Sequence, residues 1–207
     1  MKLLYQTHSP YARKALVFAH EAGLADRIEV IHHETSPTLR NETVFAQNPL
    51  GKVPVLVRDG QSPIFGSDVI CDYLDSLHDG PKLVPEQGEQ RWRALKMQSV
   101  DDGMADSGIA LRWETVRRPE ELRLPALAQG YGEKLQASFD WLETEIGEEE
   151  EGVYVGHIAV ATTLERIEFR DLAGFHDRPR LVGWLRAWAS RPSMLATPLS
   201  GDTTDGI

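Results

Sequence analysis

The chain has 207 residues, a formal net charge of −10 and a pI near 5.2. That acidity excludes nucleic acid and anionic membrane surfaces as natural partners, since both require a basic footprint. No apolar run approaches the ~18 residues of a transmembrane helix, and 41% hydrophobic with 26% charged residues is the composition of an ordinary globular chain with room for one or two cores. The N-terminus turns polar at Gln6-Thr7-His8, too early for a signal peptide. A single cysteine, Cys71, allows no internal disulfide, and a reducing, cytoplasmic compartment is expected.

Lys2–Tyr5 reads as a short buried strand, followed by the loop Gln6-Thr7-His8-Ser9. Pro10 opens a helix that runs to about Ala22 and closes at Gly23. Serine at the N-cap with proline at the first helical position is a strong start signal. Ala12, Ala15, Leu16, Ala19 and Ala22 give this helix its buried face. Ile28–Ile31 is the second predicted strand, and a strand–helix–strand unit crosses right-handed onto a parallel sheet. Thr38–Ala46 is a short helix or an irregular segment. Pro54–Val57 and Pro63–Phe65 form a hairpin around Asp59-Gly60. Ser67 caps a third helix reaching about Leu77, and His78 to Pro85 is linker material.

Everything beyond the linker is predicted helical. One long helix runs from Glu86 to about Val116, with a bend expected at Gly103 and Gly108 inside it. Leu127, Tyr131, Leu135, Phe139, Leu142 and Ile146 mark an amphipathic helix. Val160, Leu164 and Ile167 mark another, and Leu181, Trp184, Leu185 and Trp188 a last one. Glu148-Glu149-Glu150-Glu151-Gly152 reads as a solvated loop, because packed like charges repel. The small, polar tail after Pro198 is expected to fray.

The most informative stretch is Asn48-Pro49-Leu50-Gly51-Lys52-Val53-Pro54-Val55-Leu56. Proline at the first position of a strand forfeits only one ladder donor, and its ring pushes Val53 into an extended conformation. Val53 can then present its N–H and C=O to an extended peptide. A cis Val53–Pro54 bond would sharpen that presentation, and the sequence alone leaves the isomer open.

This stretch and the following Phe65-Gly66-Ser67-Asp68-Val69-Ile70-Cys71-Asp72-Tyr73-Leu74 closely resemble, in this order, the two signature elements of the glutathione transferase superfamily. The resemblance extends over nearly the whole chain. It implies an α/β N-terminal thioredoxin-like domain followed by an all-α C-terminal helical bundle. Residues 1–77 would be the glutathione-binding domain, 78–88 the linker and 89–207 the helical domain. In the family the valine–proline bond is cis and the valine backbone pairs with the cysteinyl unit of glutathione, which assigns Val53 and Pro54. Ser67 would hold the γ-glutamyl carboxylate at a helix start, a ready anion site. The residue before it is normally acidic and meets the γ-glutamyl amine; here it is Gly66. Two substitutes are open. Asp68 is one, although neighbours on a helix do not share a direction. The other is a carboxylate from a second subunit, Asp101 or Asp102 being similar in place to family residues that reach across the dimer. The resemblance implies a homodimer with its active site near the interface.

Ser9-Pro10-Tyr11-Ala12-Arg13-Lys14 resembles the serine-containing first-helix start of bacterial members. Ser9 has two readings, a bare N-cap or a hydroxyl that donates to a thiolate. A free thiol titrates near ~8.5, and lowering it by about two units takes roughly 2.7 kcal/mol of preferential stabilisation. One charge-assisted hydrogen bond and a helix dipole supply that order of energy. The resemblance favours Ser9 as the catalytic residue and a glutathione contact; Tyr5 is the rival, placed inside the apolar strand.

Lys52 reads either as the cation near the glycine carboxylate of glutathione or as a solvated loop lysine, and Asn48 as a turn former. Arg13 lies near the sulfur site or on the surface. Met104, Ile109 and Trp113 fall where the family lines its electrophile pocket, although a helical Met or Trp more often belongs to a core. Cys71 reads as a small core residue, and without Cys-x-x-Cys there is no dithiol chemistry. The seven histidines offer no zinc spacing, so no metal is expected. In Tyr154 to Thr162, Ala159 and Thr162 stand where the family's capping pair usually stands, which implies a weakened cap.

The expected activity is transfer of glutathione, the co-substrate, to a small hydrophobic electrophile. The alternatives are glutathione-dependent peroxide or disulfide reduction without a protein cysteine, and a non-catalytic binding protein, which Gly66 favours.

Overall fold

Lys2–Tyr5 forms strand β1, Glu29–His32 β2, Val55–Val57 β3 and Ile64–Phe65 β4, and they pair in the order β2-β1-β3-β4. The structure is a computed structural model that describes residues 1–147 and 152–203. β1 runs parallel to β2 with Leu3 opposite Val30, and antiparallel to β3 with Leu3 opposite Leu56. β3 and β4 are the expected antiparallel hairpin. β2 starts one residue later than its apolar run because a 3₁₀ turn, Ala25–Arg27, captures the Ile28 N–H on the Ala25 carbonyl.

Helix α1 (Pro10–Glu21) provides the crossover between β1 and β2. Gly23, at φ +67°, closes it: the Gly23 N–H donates to the His20 carbonyl and the Leu24 N–H to the Ala19 carbonyl. A left-handed glycine makes that pairing of the last carbonyls sterically cheap. Helix α2 (Glu42–Phe45) is one turn, capped by the Asn41 side chain. Helix α3 (Ser67–Asp75) begins differently from expectation. Gly66, at φ +87°, occupies the cap position and Ser67 is the first helical residue, so Ser67 offers its own N–H rather than a capping oxygen.

The helical half comprises α4 (Gly88–Arg112), α5 (Pro125–Glu145), α6 (Val155–Phe169), α7 (Pro179–Ala189) and α8 (Pro192–Leu195), the last not anticipated. α4 reaches its expected end through a wider π turn, Trp113–Arg117. α6 is the buried axis of this half, with Ile158, Val160, Leu164 and Ile167 sealed from solvent. A Cβ at Gly156 would stand 2.7 Å from the Ala94 carbonyl oxygen and from Met97 Cβ, so α4 and α6 meet backbone to backbone there. α6 starts one turn earlier than the family motif suggested. Tyr154 caps it, its N–H donating to His157 Nδ1 at 3.4 Å. Ala159 and Thr162 are interior residues, joined by a Thr162 hydroxyl donating to the Ala159 carbonyl at 2.8 Å, so the supposed weak cap is not a cap.

Residues 200–203 are held by hydrogen bonds rather than frayed, and residues 204–207 of the tail lie outside the described residues. The Thr7 hydroxyl donates to the Ser200 carbonyl at 2.8 Å, and Arg170 holds the Gly201 carbonyl and Asp202. The acidic run 148–151 lies outside the described residues.

Candidate functional site

Ser9 stands at the turn from β1 into α1, 8% exposed, its backbone extended at φ −83°. Its Oγ accepts the Ala12 N–H at 3.2 Å, and its hydroxyl proton has no acceptor among the described residues. The two readings of Ser9 are therefore compatible: a lone pair caps the helix while the proton is left to donate elsewhere. Tyr5 is buried in the strand, and burial pushes its phenol up to about 12 with only partial offset from Arg13, the wrong direction for ionising. Arg13 is not at the surface. It is buried, donates to the Thr197 carbonyl at 2.7 Å and pairs with Glu165, locking α1 to α6 and α8.

The Val53–Pro54 bond is cis. Val53 is buried and lies outside the sheet ladder, which starts at Val55. Asn48, also buried, builds the loop that carries it: Nδ2 donates to the Lys52 carbonyl at 2.8 Å and Oδ1 accepts the Leu50 N–H at 3.0 Å. Gly51 turns at φ +62° against the Phe45 ring, where a Cβ would come within 2.2 Å. The Lys52 ammonium is exposed and unpaired among the described residues.

Ser67 is buried at the start of α3, and its hydroxyl has no hydrogen bond among the described residues. Next to it lies a feature that sequence reasoning missed. Lys14, fully buried on α1, holds Asp68 at 2.7 Å, Asp101 at 3.1 Å and Asp102 at 3.1 Å. Gln98 donates a further bond to Asp68 at 2.7 Å. Burial by itself would lower the Lys14 ammonium, but the combined pull of Asp101, Asp68 and Asp102 carries it above its ordinary value. Burial lifts the Asp102 carboxyl to about 6 against the pull of Lys14, with Asp68 and Asp101 adding to the rise. The available signal was a lysine set in the middle of the buried run Ala12–Ala19. Asp102 is thus engaged within its own chain, and Asp68 is turned towards the same ammonium.

On the helical side, Trp113 is half-buried beneath the Arg117 guanidinium, 4.0 Å from its ring centroid. Met104 is fully buried and forms core rather than pocket surface, which corrects its expected place on the electrophile wall. Tyr11, on the first turn of α1, donates to Asp106 at 2.5 Å; burial first, and then that carboxylate, raise its phenol. Cys71 is sealed in the core and its thiol is pushed up by burial, which leaves it inert. Among the described residues no group of three His, Cys, Asp or Glu is placed to hold a metal, and no helix is long and apolar enough to cross a membrane.

Residues 8–77 match the family model "Glutathione S-transferase, N-terminal domain". The chain is 30% identical to the uncharacterized GST-like protein YibF of Escherichia coli K12 over 202 residues, covering 95% of this chain and 98% of the relative. It is 26% identical to pig glutathione S-transferase omega-1, covering 90% and 76%. Among solved structures it is similar to a glutathione transferase family member from Pseudomonas fluorescens Pf-5 with bound glutathione, at TM-score 0.91 and 33% identity over 97% of this chain and 99% of that one. A second structure from that organism, with bound S-(propanoic acid)-glutathione, gives TM-score 0.87 and 34% identity over 97% and 100%.

Proposed function

The chain belongs to the glutathione S-transferase family, and from that premise we propose that it ionises glutathione with Ser9 and directs the thiolate at a small electrophile. The observation that carries this reading is the Ser9 hydroxyl, which caps α1 through a lone pair and keeps its proton without an acceptor among the described residues. A thiolate sulfur beside that proton gains a charge-assisted hydrogen bond and the positive end of α1. Roughly 2.7 kcal/mol from the two lowers the thiol by about two units, enough to make thiolate the majority form at neutral pH.

In this reading the cysteinyl unit pairs with the Val53 peptide, and the γ-glutamyl carboxylate meets the N–H groups and hydroxyl at Ser67. The glycine carboxylate lies towards Lys52. Gly66 supplies no carboxylate for the γ-glutamyl ammonium, and the Asp68–Asp102 pair drawn together by Lys14 takes its place. One buried cation against three carboxylates leaves negative charge over, which suits an ammonium ligand. Phe65 and Val69 beside this end, and Trp92 on α4, are exposed apolar side chains that support a homodimer. Reduction of peroxides or disulfides would have to run on glutathione alone, since Cys71 is inaccessible. Retention of the protein on immobilised glutathione, with elution by the free tripeptide, is the expected result; passage through the column unretained would refute the binding site.

A further inference from the structure

Positive charge gathers beside the Ser9 turn that the glutathione site does not use. Arg166, on α6, and Arg170, its C-cap residue, stand one turn apart, a spacing at which like charges repel. Arg112 ends α4 and Arg117 lies in the π turn beyond it. Arg166 is 5% exposed, and its Nε and Nη1 are buried without a hydrogen-bond partner among the described residues. Burial first, and then Arg170, Arg112 and Arg117, bring this guanidinium down to about 10, still charged at neutral pH. Unpaired buried donors of a charged group carry the full cost of losing water.

Arg170 Nε likewise has no partner among the described residues, while its Nη1 and Nη2 hold Asp202 Oδ1 and the Gly201 carbonyl, each at 2.9 Å. Asp202 sits on the C-terminal tail with its side chain 92% exposed. The Thr203 hydroxyl lies 3.1 Å from Arg112 Nη1 and 3.2 Å from His8 Nε2, and Ser200 pairs with Thr7. The tail therefore crosses Thr7 and His8, the two residues that lead into Ser9, and pairs its solvated carboxylate with Arg170. His8 is neutral there, held down to about 4 by burial and then Arg170 and Arg166, with Glu34 and the Ser200 backbone pulling the other way.

We propose that the Arg166–Arg170 cluster recognises a carboxylate carried by the electrophile, and that Asp202 occupies it as an internal stand-in until the substrate arrives. The inference rests on the glutathione-conjugating reading above and names the substrate class within it. A planar carboxylate matches the guanidinium fork and satisfies the donors that Asp202 leaves unpaired. In the reaction the glutathione thiolate attacks a carbon next to the carboxylate. For a haloacetate the C–S bond forms as the C–halogen bond breaks, and halide leaves with the electron pair.

Iodoacetate and iodoacetamide are close in size and differ in charge, and each enzymatic rate is divided by its uncatalysed rate with glutathione at the same pH. The normalised kcat/KM is expected to favour iodoacetate by ~10-fold or more. Arg170→Gln is expected to erase that ratio, chiefly through KM, and Arg170→Lys to restore part of it. Asp202→Asn is expected to lower the KM for iodoacetate by about threefold, a gain that structural damage does not produce. Calorimetric titration with S-carboxymethyl-glutathione and S-carbamidomethyl-glutathione reads the same preference without turnover. Conjugation of both electrophiles with no preference overturns the proposal and leaves the transferase reading standing. Loss of glutathione binding itself in Arg170→Gln, matching the loss with iodoacetate, also overturns it, because the arginines would then hold glutathione. Absence of both glutathione binding and conjugation removes the two readings together.

Discussion

Replacing Lys14 by methionine tests the hub that joins α1 to α3 and α4. The ammonium is fully buried and meets Asp101, itself 2% exposed, at 3.1 Å. At an effective dielectric of ~20 that single contact is worth ~5 kcal/mol by Coulomb's law. Asp68 and Asp102 are partly solvated, so their contribution is screened. Taking the ammonium out of water costs several kcal/mol, which makes the intact hub nearly neutral in net energy, but breaking it leaves the Asp101 carboxylate buried and uncompensated. Lys14→Met is therefore expected to lose about 3–5 kcal/mol at neutral pH, read as a lower urea midpoint at unchanged slope. Adding Asp101→Asn should recover a large part of that loss, a coupling visible in the double-mutant cycle. A loss under ~1 kcal/mol, or no recovery in the double variant, would refute the charge argument.

Three further outcomes follow from the same geometry. Ser9→Ala removes a hydrogen bond to a charged group, so conjugation at neutral pH should fall by about 10- to 100-fold, with ~1 kcal/mol of stability lost from the cap; an unchanged rate would dismiss Ser9. Asp102, lifted to about 6 in the fold, binds more protons there than in the unfolded chain, so its contribution to stability falls as pH rises from its ordinary value towards 6. Asp102→Asn should flatten that part of the pH–stability curve without lowering stability at neutral pH, whereas parallel curves would show that Asp102 titrates normally. Gly156→Ala drives a Cβ to 2.7 Å from a backbone oxygen and should cost about 1–3 kcal/mol in thermal or urea unfolding, with little effect expected if α4 and α6 separate freely.

The elements were legible where local signals agreed. Ser9-Pro10 and Gly23 bracket α1 because cap, ring and left-handed glycine each act within a few residues. The Pro54–Val57 hairpin followed from Asp59-Gly60 in the same way. Ser67 was misread as a cap because a serine before an apolar helix looks alike in either place, and only the left-handed backbone of Gly66 assigns the cap to the glycine. The hub and the arginine cluster were out of reach. Lys14, Asp68 and Asp101 meet across three helices, and Arg170 and Asp202 across a helix end and the tail, so no spacing in the sequence records either contact. Met104 carried a helix-face position without its depth, which depends on how α4 packs against its neighbours.

Titration of the purified protein with glutathione, followed in the ultraviolet thiolate band for wild type and Ser9→Ala side by side, tests the central claim most directly. The account predicts saturable binding in both, with a thiolate signal at neutral pH in the wild type that moves up by about 1–2 pH units in the variant. Saturable binding with no thiolate signal, or with the same signal in both proteins, would contradict it.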